Sequence, residues 1–505
     1  MSDPNSTRSR GQGEGARLRE APAPELIQAS FRLEIADTPI LWRGLGLADL
    51  AHISMLLEAG VVPVKPGGRL LALLLELEAT PLETIELDLA LEDAYSNREA
   101  WLRRRDPEAA GWMGAGRPRR EPATIAYRIA VRERLLTLAA GLVDLASALV
   151  ARARENVDTV TPDYTYLQHA QPTSLAHYLL SFAYPVLRDL ERLEACFARA
   201  NRSPAGIGNI NGSRLPIDRA RLAELLGFDG PIVHTRDAMW QADGPVELMA
   251  LVVAMLLGVD RLAEDLQIWN TSEFDLVELA DRHARVSLIM PQKKNPYSLA
   301  FIRGLTGTLM GRMVSMAAVG KTPSAQMDNR IFAIGEVPRA LDQTIDAVRL
   351  MAGVLRGLEF RTETMRARAN EGFAHATDLA EVLMGSCGID YRTAHRIVGL
   401  AIRKALEQGH GDDVPRTVLE AAAREVVGRA VSLPDRELAG LRDPHAIVAT
   451  RRGLGGAAPE PVQVMIEELD RELDRHRDWH RDTVKRLAHA ETHLATLART
   501  HASRA

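Results

Sequence analysis

The sequence predicts a mainly α-helical protein of three helical domains, the middle one a bundle of long helices. Three observations predict it. The chain of 505 residues is 46% hydrophobic with 5% aromatics, and its apolar content is rich in Ala and Leu, the residues that favour helix. Apolar residues recur at three- and four-residue spacing over long stretches. No segment alternates strictly over six residues, and neither a dinucleotide fingerprint nor a phosphate loop is present.

Residues 1–25 are polar, with Gly, Ser, Pro and Arg and no apolar core, so they read as a disordered extension and not a secretory signal. An N-terminal helical domain is expected over 26–120, with Leu47 to Leu57 as a helix. Pro118 and Pro122 bracket a break near residue 120. The central domain is expected over 121–365. Its segments Tyr127 to Val157, Leu175 to Arg202 and Gly244 to Leu266 exceed the usual helix length of about 11–12 residues, as a long-helix bundle requires. Between them, Gly206 to Gly212 reads as a loop, and no Lys-Ser/Thr follows to make it a phosphate cradle. Tyr297 to Ala317 and Pro338 to Leu355 complete the bundle. A second break near 360–375 opens a C-terminal helical domain, 366–505.

A net charge of −5 at this size implies no nucleic-acid or polyanion partner. Two cysteines, Cys196 and Cys387, fit a reducing cytoplasm and lack metal-ligand spacing, so no metal or cofactor is expected. No apolar run approaches a membrane span of about 20 residues; Leu248 to Leu257 is too short.

The most informative stretch is the polar loop 282–296. Ser287-Leu-Ile-Met-Pro-Gln-Lys-Lys-Asn295-Pro296 gathers a hydroxyl, two ammonium groups and an amide ahead of the helix starting at Tyr297. Helix N-termini favour anions. Lysine and asparagine suit a substrate carboxylate, and positive charge would stabilise a serine alkoxide. Read on composition alone, the same stretch is equally a solvated surface turn.

Its wording resembles the Gly-Ser-Ser-x-Met-Pro-x-Lys-x-Asn-Pro signature of the fumarase/aspartase superfamily, and the Gln-Lys-Lys-Asn form resembles argininosuccinate lyase. Tyr164 to Pro172 resembles the Tyr-Thr-His-Leu-Gln-x-Ala-Gln-Pro motif, and Gly372 to Ala380 with Arg392 to Gly399 resembles the family's C-terminal domain. The resemblance implies a homotetramer whose central bundles merge into one core, with each active site built from three subunits. It also implies a reaction: a base takes a proton beside one carboxylate, an aci-carboxylate dianion forms, and a group leaves to give fumarate. Ser287 matches the base. Thr165 matches a substrate-binding threonine with a catalytic part. Lys293 and Asn295 match the holders of the dianion, with Lys294 a neighbour that could face solvent. Asn97 matches an active-site stretch, although a helix-end hydrogen bond would also explain it. Arg119 keeps an arginine of the Arg-x-Arg-Asn-Asp segment. Gln326 and Arg330 fall where the family grips the amino-acid end of its substrate.

The departures point to a changed substrate. The motif's histidine is Tyr166, and its usual glutamate partner is Ala300, so the proton relay loses both members. Tyrosine, with a reference pKa of about 10, stays protonated where histidine would titrate. Tyr166 therefore either donates directly or the leaving group needs no proton. Arg120 replaces the asparagine after Arg119 and adds a fork of donors for a further carboxylate. Arg285-Val286 replaces Thr-Gly at the start of the loop, and Leu288 the second serine. Ile331 and Ile334 stand where argininosuccinate lyases carry glutamine and lysine. The expected activity is release of a nitrogen-bearing group from a substituted succinate or aspartate. Nitrosuccinate and N-substituted aspartates are the candidates. The alternatives are a true argininosuccinate lyase, a same-fold cycloisomerase acting on a dicarboxylate, and a non-enzymatic crystallin-like descendant.

Overall fold

The computed structural model describes residues 20–323, 330–429, 431 and 433–504. An arm of short α- and π-helical turns covers 24–36 and leads into α1 (Thr38–Glu58) and α2 (Val64–Ala79). Asp93 caps α3 (Ala94–Arg105) by accepting the Ser96 N–H at 2.8 Å. The break expected near residue 120 is the start of α4 (Arg120–Arg154), where Pro122 lies in the first turn and costs no hydrogen bond. α5 (Leu175–Ala200), α6 (Asp243–Trp269), α7 (Tyr297–Val319) and α8 (Arg330–Gly357) follow, close to the expected spans.

α4 runs through the middle and packs on α1, α5 and α8. Leu135, Leu138, Leu142, Leu145 and Leu149 form a seam at three- and four-residue steps, each at most 1% exposed. That spacing keeps one stripe facing neighbouring helices along the whole length. Contrary to the sequence reading, two helices among the described residues do reach the length and apolarity of a membrane span. They are α1 and α4, and 78% and 67% of their apolar windows are buried inside the bundle.

The C-terminal boundary also differs. A second core comprises α9 (Ala376–Cys387), α10 (Tyr391–Glu407) and α11 (Arg416–Val427), with Leu383, Ile397 and Leu419 at its centre. The final helix, α12 (Pro459–Ala502), returns to the main body. Its Val462, Ile466, Leu469 and Leu473 join the same core as α1, α2, α4 and α5. The 366–505 unit is therefore split, because α12 repeats apolar residues on one stripe and buries them against the bundle.

The sequence reading also missed a β-hairpin. β1 (Val160–Thr165) pairs antiparallel with β2 (Gln168–Ser174), with an irregularity between Pro162 and Tyr164. The turn consists of Tyr166 and Leu167 at φ 56° and 59°. Two left-handed non-glycine residues in succession are a strained turn.

Candidate active site

The signature loop is itself a small hairpin. β3 (Arg285–Val286) pairs with β4 (Lys294–Asn295), and the Ser287 N–H donates to the Lys293 carbonyl at 3.1 Å. The Lys293 N–H donates to the Met290 carbonyl at 3.0 Å, which folds the tip back. The Met290 N–H donates to Ser287 Oγ at 3.0 Å. The serine oxygen thus holds one backbone donor, the kind of contact that favours an alkoxide. Lys293 is exposed and Asn295 half-buried, directly before α7. Lys294 does not face solvent alone. Its ammonium bonds Asp281 at 2.8 Å and Glu278 at 3.1 Å, and the bond to Asp281 above all holds its pKa up. The Arg285 guanidinium lies 4.1 Å from the Tyr297 ring centre and pins the loop to the helix. Leu288 is fully exposed and Ile289 85% exposed, an apolar tip that none of the described residues covers.

A second patch is the β1–β2 turn. Thr165 is exposed and Tyr166 is 99% exposed. Tyr164 anchors the hairpin beneath them, its ring 5.5 Å from Phe274 and its hydroxyl 3.5 Å from His169 Nε2. Gly372, at φ +64°, lies against His169; an added Cβ would come within 3.0 Å of the His169 Cβ.

The third patch is an arginine cluster at the start of α4. Arg119 pairs with Glu92 at 2.6 Å and Asp93 at 3.3 Å. Arg120 pairs with Glu34 at 2.7 Å and with Glu92 at 3.0 Å. Arg120 is therefore already matched by carboxylates and is not an open fork. Glu92 takes φ 70°, a left-handed residue just ahead of α3. Arg330, 0% exposed, donates from Nη1 to Thr124 Oγ1 at 2.5 Å. Burial first, then Arg120, pushes its pKa down to about 9. Asn97 belongs to the scaffold beneath. Its Oδ1 accepts the Asp88 N–H at 2.7 Å, and its Nδ2 donates to the Asp88 and Asp93 carbonyls at 3.2 and 3.0 Å. The helix-end explanation is the one its geometry displays. Glu34, Glu92 and Asp93 bring oxygens within 4.8 Å of one another, but the arginines turn that trio into an ion-pair network instead of a metal centre.

Arg117 lies outside the cluster. It is buried against Asp49 at 2.6 Å, and Arg98 meets the same carboxylate at 3.1 Å. Glu121 is also buried; its oxygens accept the Gly206 and Ile207 N–H groups at 2.7 and 3.1 Å. That ties the glycine-rich loop to α4 and occupies the amides a phosphate would need. Gly206 sits at φ +74°, and a Cβ there would meet Ile217 at 2.7 Å.

The expected residues thus fall on three separate elements. The structure groups Ser287, Lys293 and Asn295 on the loop, Thr165 and Tyr166 on the hairpin turn, and Arg119, Arg120 and Arg330 by α4. Gln326 lies outside the described residues. Sequence reading missed Glu34 as a member of the cluster. Its partner is 86 residues away, and no local motif marks it.

The family model described as "Lyase" matches residues 90–311, and that described as "Argininosuccinate lyase C-terminal" matches 373–427. Argininosuccinate lyase of Methanococcoides burtonii is 34% identical over 456 residues, 89% of this chain and 91% of the relative. A solved EDDS lyase variant "with bound fumarate" superposes with a TM-score of 0.85 at 31% identity, over 96% of this chain and 97% of that one. The 3-carboxy-cis,cis-muconate lactonizing enzyme from Pseudomonas putida shares the fold, with a TM-score of 0.69 at 19% identity over 86% of this chain and 95% of that one. The ordered motifs, the helical fold and these likenesses agree: the chain belongs to the argininosuccinate lyase family within the fumarase/aspartase superfamily, and is a carbon–nitrogen lyase that releases fumarate.

Proposed function

We propose that the substrate is an N-substituted aspartate and that Ser287 is the base. The observation that carries this reading is the likeness to EDDS lyase with bound fumarate over nearly the whole chain. The lost relay fits it. The nitrogen of an N-alkylated aspartate is an ammonium near neutral pH and already bears its proton. Ser287 takes a proton from the carbon beside the distal carboxylate, leaving an aci-carboxylate dianion. Lys293 and Asn295 hold that dianion, and its collapse expels the C–N electron pair onto the ammonium nitrogen, which departs as neutral amine. No acid at Tyr166 or Ala300 is called for. Thr165 orients the substrate.

Assembly into a homotetramer completes the site in this reading. Along α7, Ala300 is exposed, and added Cβ atoms at Gly304, Gly307 and Gly311 would meet nothing. Phe301, Met310 and Val314 beside them are 47%, 43% and 64% exposed. A partner helix against this smooth, apolar face would bury it. The same assembly would bring the three patches, from different subunits, around one substrate. A cytoplasmic setting suits Cys196 and Cys387, which form no disulfide.

The second reading, argininosuccinate, is favoured by the name of the Methanococcoides burtonii relative. Against it, Ile334 packs into the core at 6% exposure and Ile331 is half-buried, so neither supplies a polar grip. Fumarate release followed by absorbance, with N-alkylaspartates, nitrosuccinate and argininosuccinate side by side, tests the proposal. The expected result is fastest release from N-alkylaspartates, with kcat/KM for argininosuccinate at least about tenfold lower, or 1.4 kcal/mol of barrier. Argininosuccinate as the best of the panel would sink it. Tyr166→Phe should cost kcat/KM no more than about one hydrogen bond, 0.5–1.5 kcal/mol.

A further inference from the structure

The final helix carries two side chains that the proposed chemistry does not use. His489 and His493 lie four residues apart on α12, and both are exposed. Neither imidazole has a hydrogen bond or an ion pair among the described residues. The helix beneath them is fixed. Leu494 and Ala498 are 1% and 0% exposed, and Ala490 lies against Gly227, where an added Cβ would come within 3.2 Å of the Ala490 Cβ. The neighbouring polar side chains are engaged elsewhere. Arg486 pairs with Asp229 at 2.9 Å, and Glu491 pairs with Arg43. The Thr492 and Thr496 hydroxyls donate back to the Ala488 and Thr492 carbonyls at 2.9 and 2.8 Å. On a helix, residues four apart stand one turn above each other with Cβ atoms about 5–6 Å apart. Imidazoles from two such positions can converge on one ion, at the usual ring nitrogen–metal length of about 2.0–2.1 Å.

We propose that His489 and His493 bind one divalent late transition-metal ion, such as Ni²⁺, Cu²⁺ or Zn²⁺, as a two-imidazole chelate whose remaining positions are filled by water. Imidazole suits these ions, whereas Mg²⁺ and Ca²⁺ take oxygen ligands. No carboxylate stands three or four residues from either histidine, so nothing on this stripe favours the harder cations. The packing of α12 fixes the backbone under both ligands, so the ion has only side-chain rotation to arrest. Lys485, one turn before His489, is the like charge that the ion meets. It is exposed, and water and salt screen the repulsion. None of the candidate active-site residues lies on α12, so the role is structural. The ion would staple two successive turns near the end of a helix that packs on α1, α2, α4 and α5.

Calorimetric titration of the full-length, tag-free protein with Ni²⁺ tests this without any assumption about the substrate. The titration is run at slightly alkaline pH, because the ligands must be deprotonated. One ion per chain should bind. His489→Ala and His493→Ala should each weaken that event at least about tenfold, since loss of a mere outer-shell partner already costs about 10–100-fold. The double variant should lose the same event and no other, because losing either arm breaks a chelate. Both positions are exposed and alanine favours helix, so circular dichroism of all three variants should match the wild type. Excess Mg²⁺ should leave the titration unchanged. Cu²⁺ at one equivalent should show two coordinating imidazole nitrogens by electron paramagnetic resonance in the wild type, and fewer in each variant. Failure of the wild type to bind Ni²⁺, or unchanged affinity in either single variant, would overturn the proposal. So would a stoichiometry that falls stepwise from wild type through single to double variant, the mark of two independent ligands.

Discussion

Ser287→Ala should lower kcat roughly 10³–10⁴-fold while leaving KM within a few fold, the pattern of a group that acts in the transition state. The alanine loses the oxygen that, in the proposed mechanism, accepts the substrate proton. It leaves the Ser287 N–H to Lys293 carbonyl bond and the β3–β4 pairing intact, since both are backbone contacts. Only the Met290 N–H loses its acceptor, at the exposed tip where water can replace it. Secondary structure and assembly should therefore match the wild type by circular dichroism and gel filtration. Steady-state kinetics decide the matter, and turnover near the wild-type rate would remove Ser287 as base.

The largest effect on stability is expected at Asp49. Its two oxygens meet Arg117 at 2.6 Å and Arg98 at 3.1 Å, and all three side chains are wholly buried. Asp49→Ala strands two guanidiniums in the core, although Arg98 keeps Glu78 at 2.8 Å. Breaking a buried pair by removing one partner costs about 3–5 kcal/mol. Chemical denaturation should show a loss of that size, with an unchanged slope. Activity should fall as well, because Arg117 sits two residues ahead of Arg119 and fixes where the α4 arginines emerge. A loss under about 1 kcal/mol would mean that the two arginines find other partners or water.

Much of this architecture can be read from periodicity. The seam Leu135, Leu138, Leu142, Leu145 and Leu149 announces α4, and similar spacing announces α5, α6 and α8. The β1–β2 hairpin cannot be read this way. Pro162 and Pro172 face each other across it, its turn is Tyr-Leu where Asn-Gly would signal, and its burial does not alternate. α12 is rich in charge and reads as a surface helix of its own domain until its one apolar stripe is seen against the bundle. For the candidate site, local motifs single out Ser287, Lys293 and Thr165 because the proposed chemistry of each is local to its loop. The state of Arg120 is not local. It depends on Glu34, brought over by the packing of the N-terminal arm, and it turns an apparent carboxylate receptor into a satisfied ion pair. Asn97 shows the converse: a residue that matches a site motif whose amide is taken up in holding the turn before α3.

Departure of the nitrogen without help from a protein acid is the step on which the proposed function turns. Its most direct test is kcat/KM across N-alkylaspartates of graded amine basicity, for the wild type and Tyr166→Phe in parallel. Unassisted departure should give two parallel lines, displaced by no more than about one hydrogen bond, 0.5–1.5 kcal/mol. A mutant line that steepens with increasing basicity of the leaving amine would contradict it and make Tyr166 the general acid.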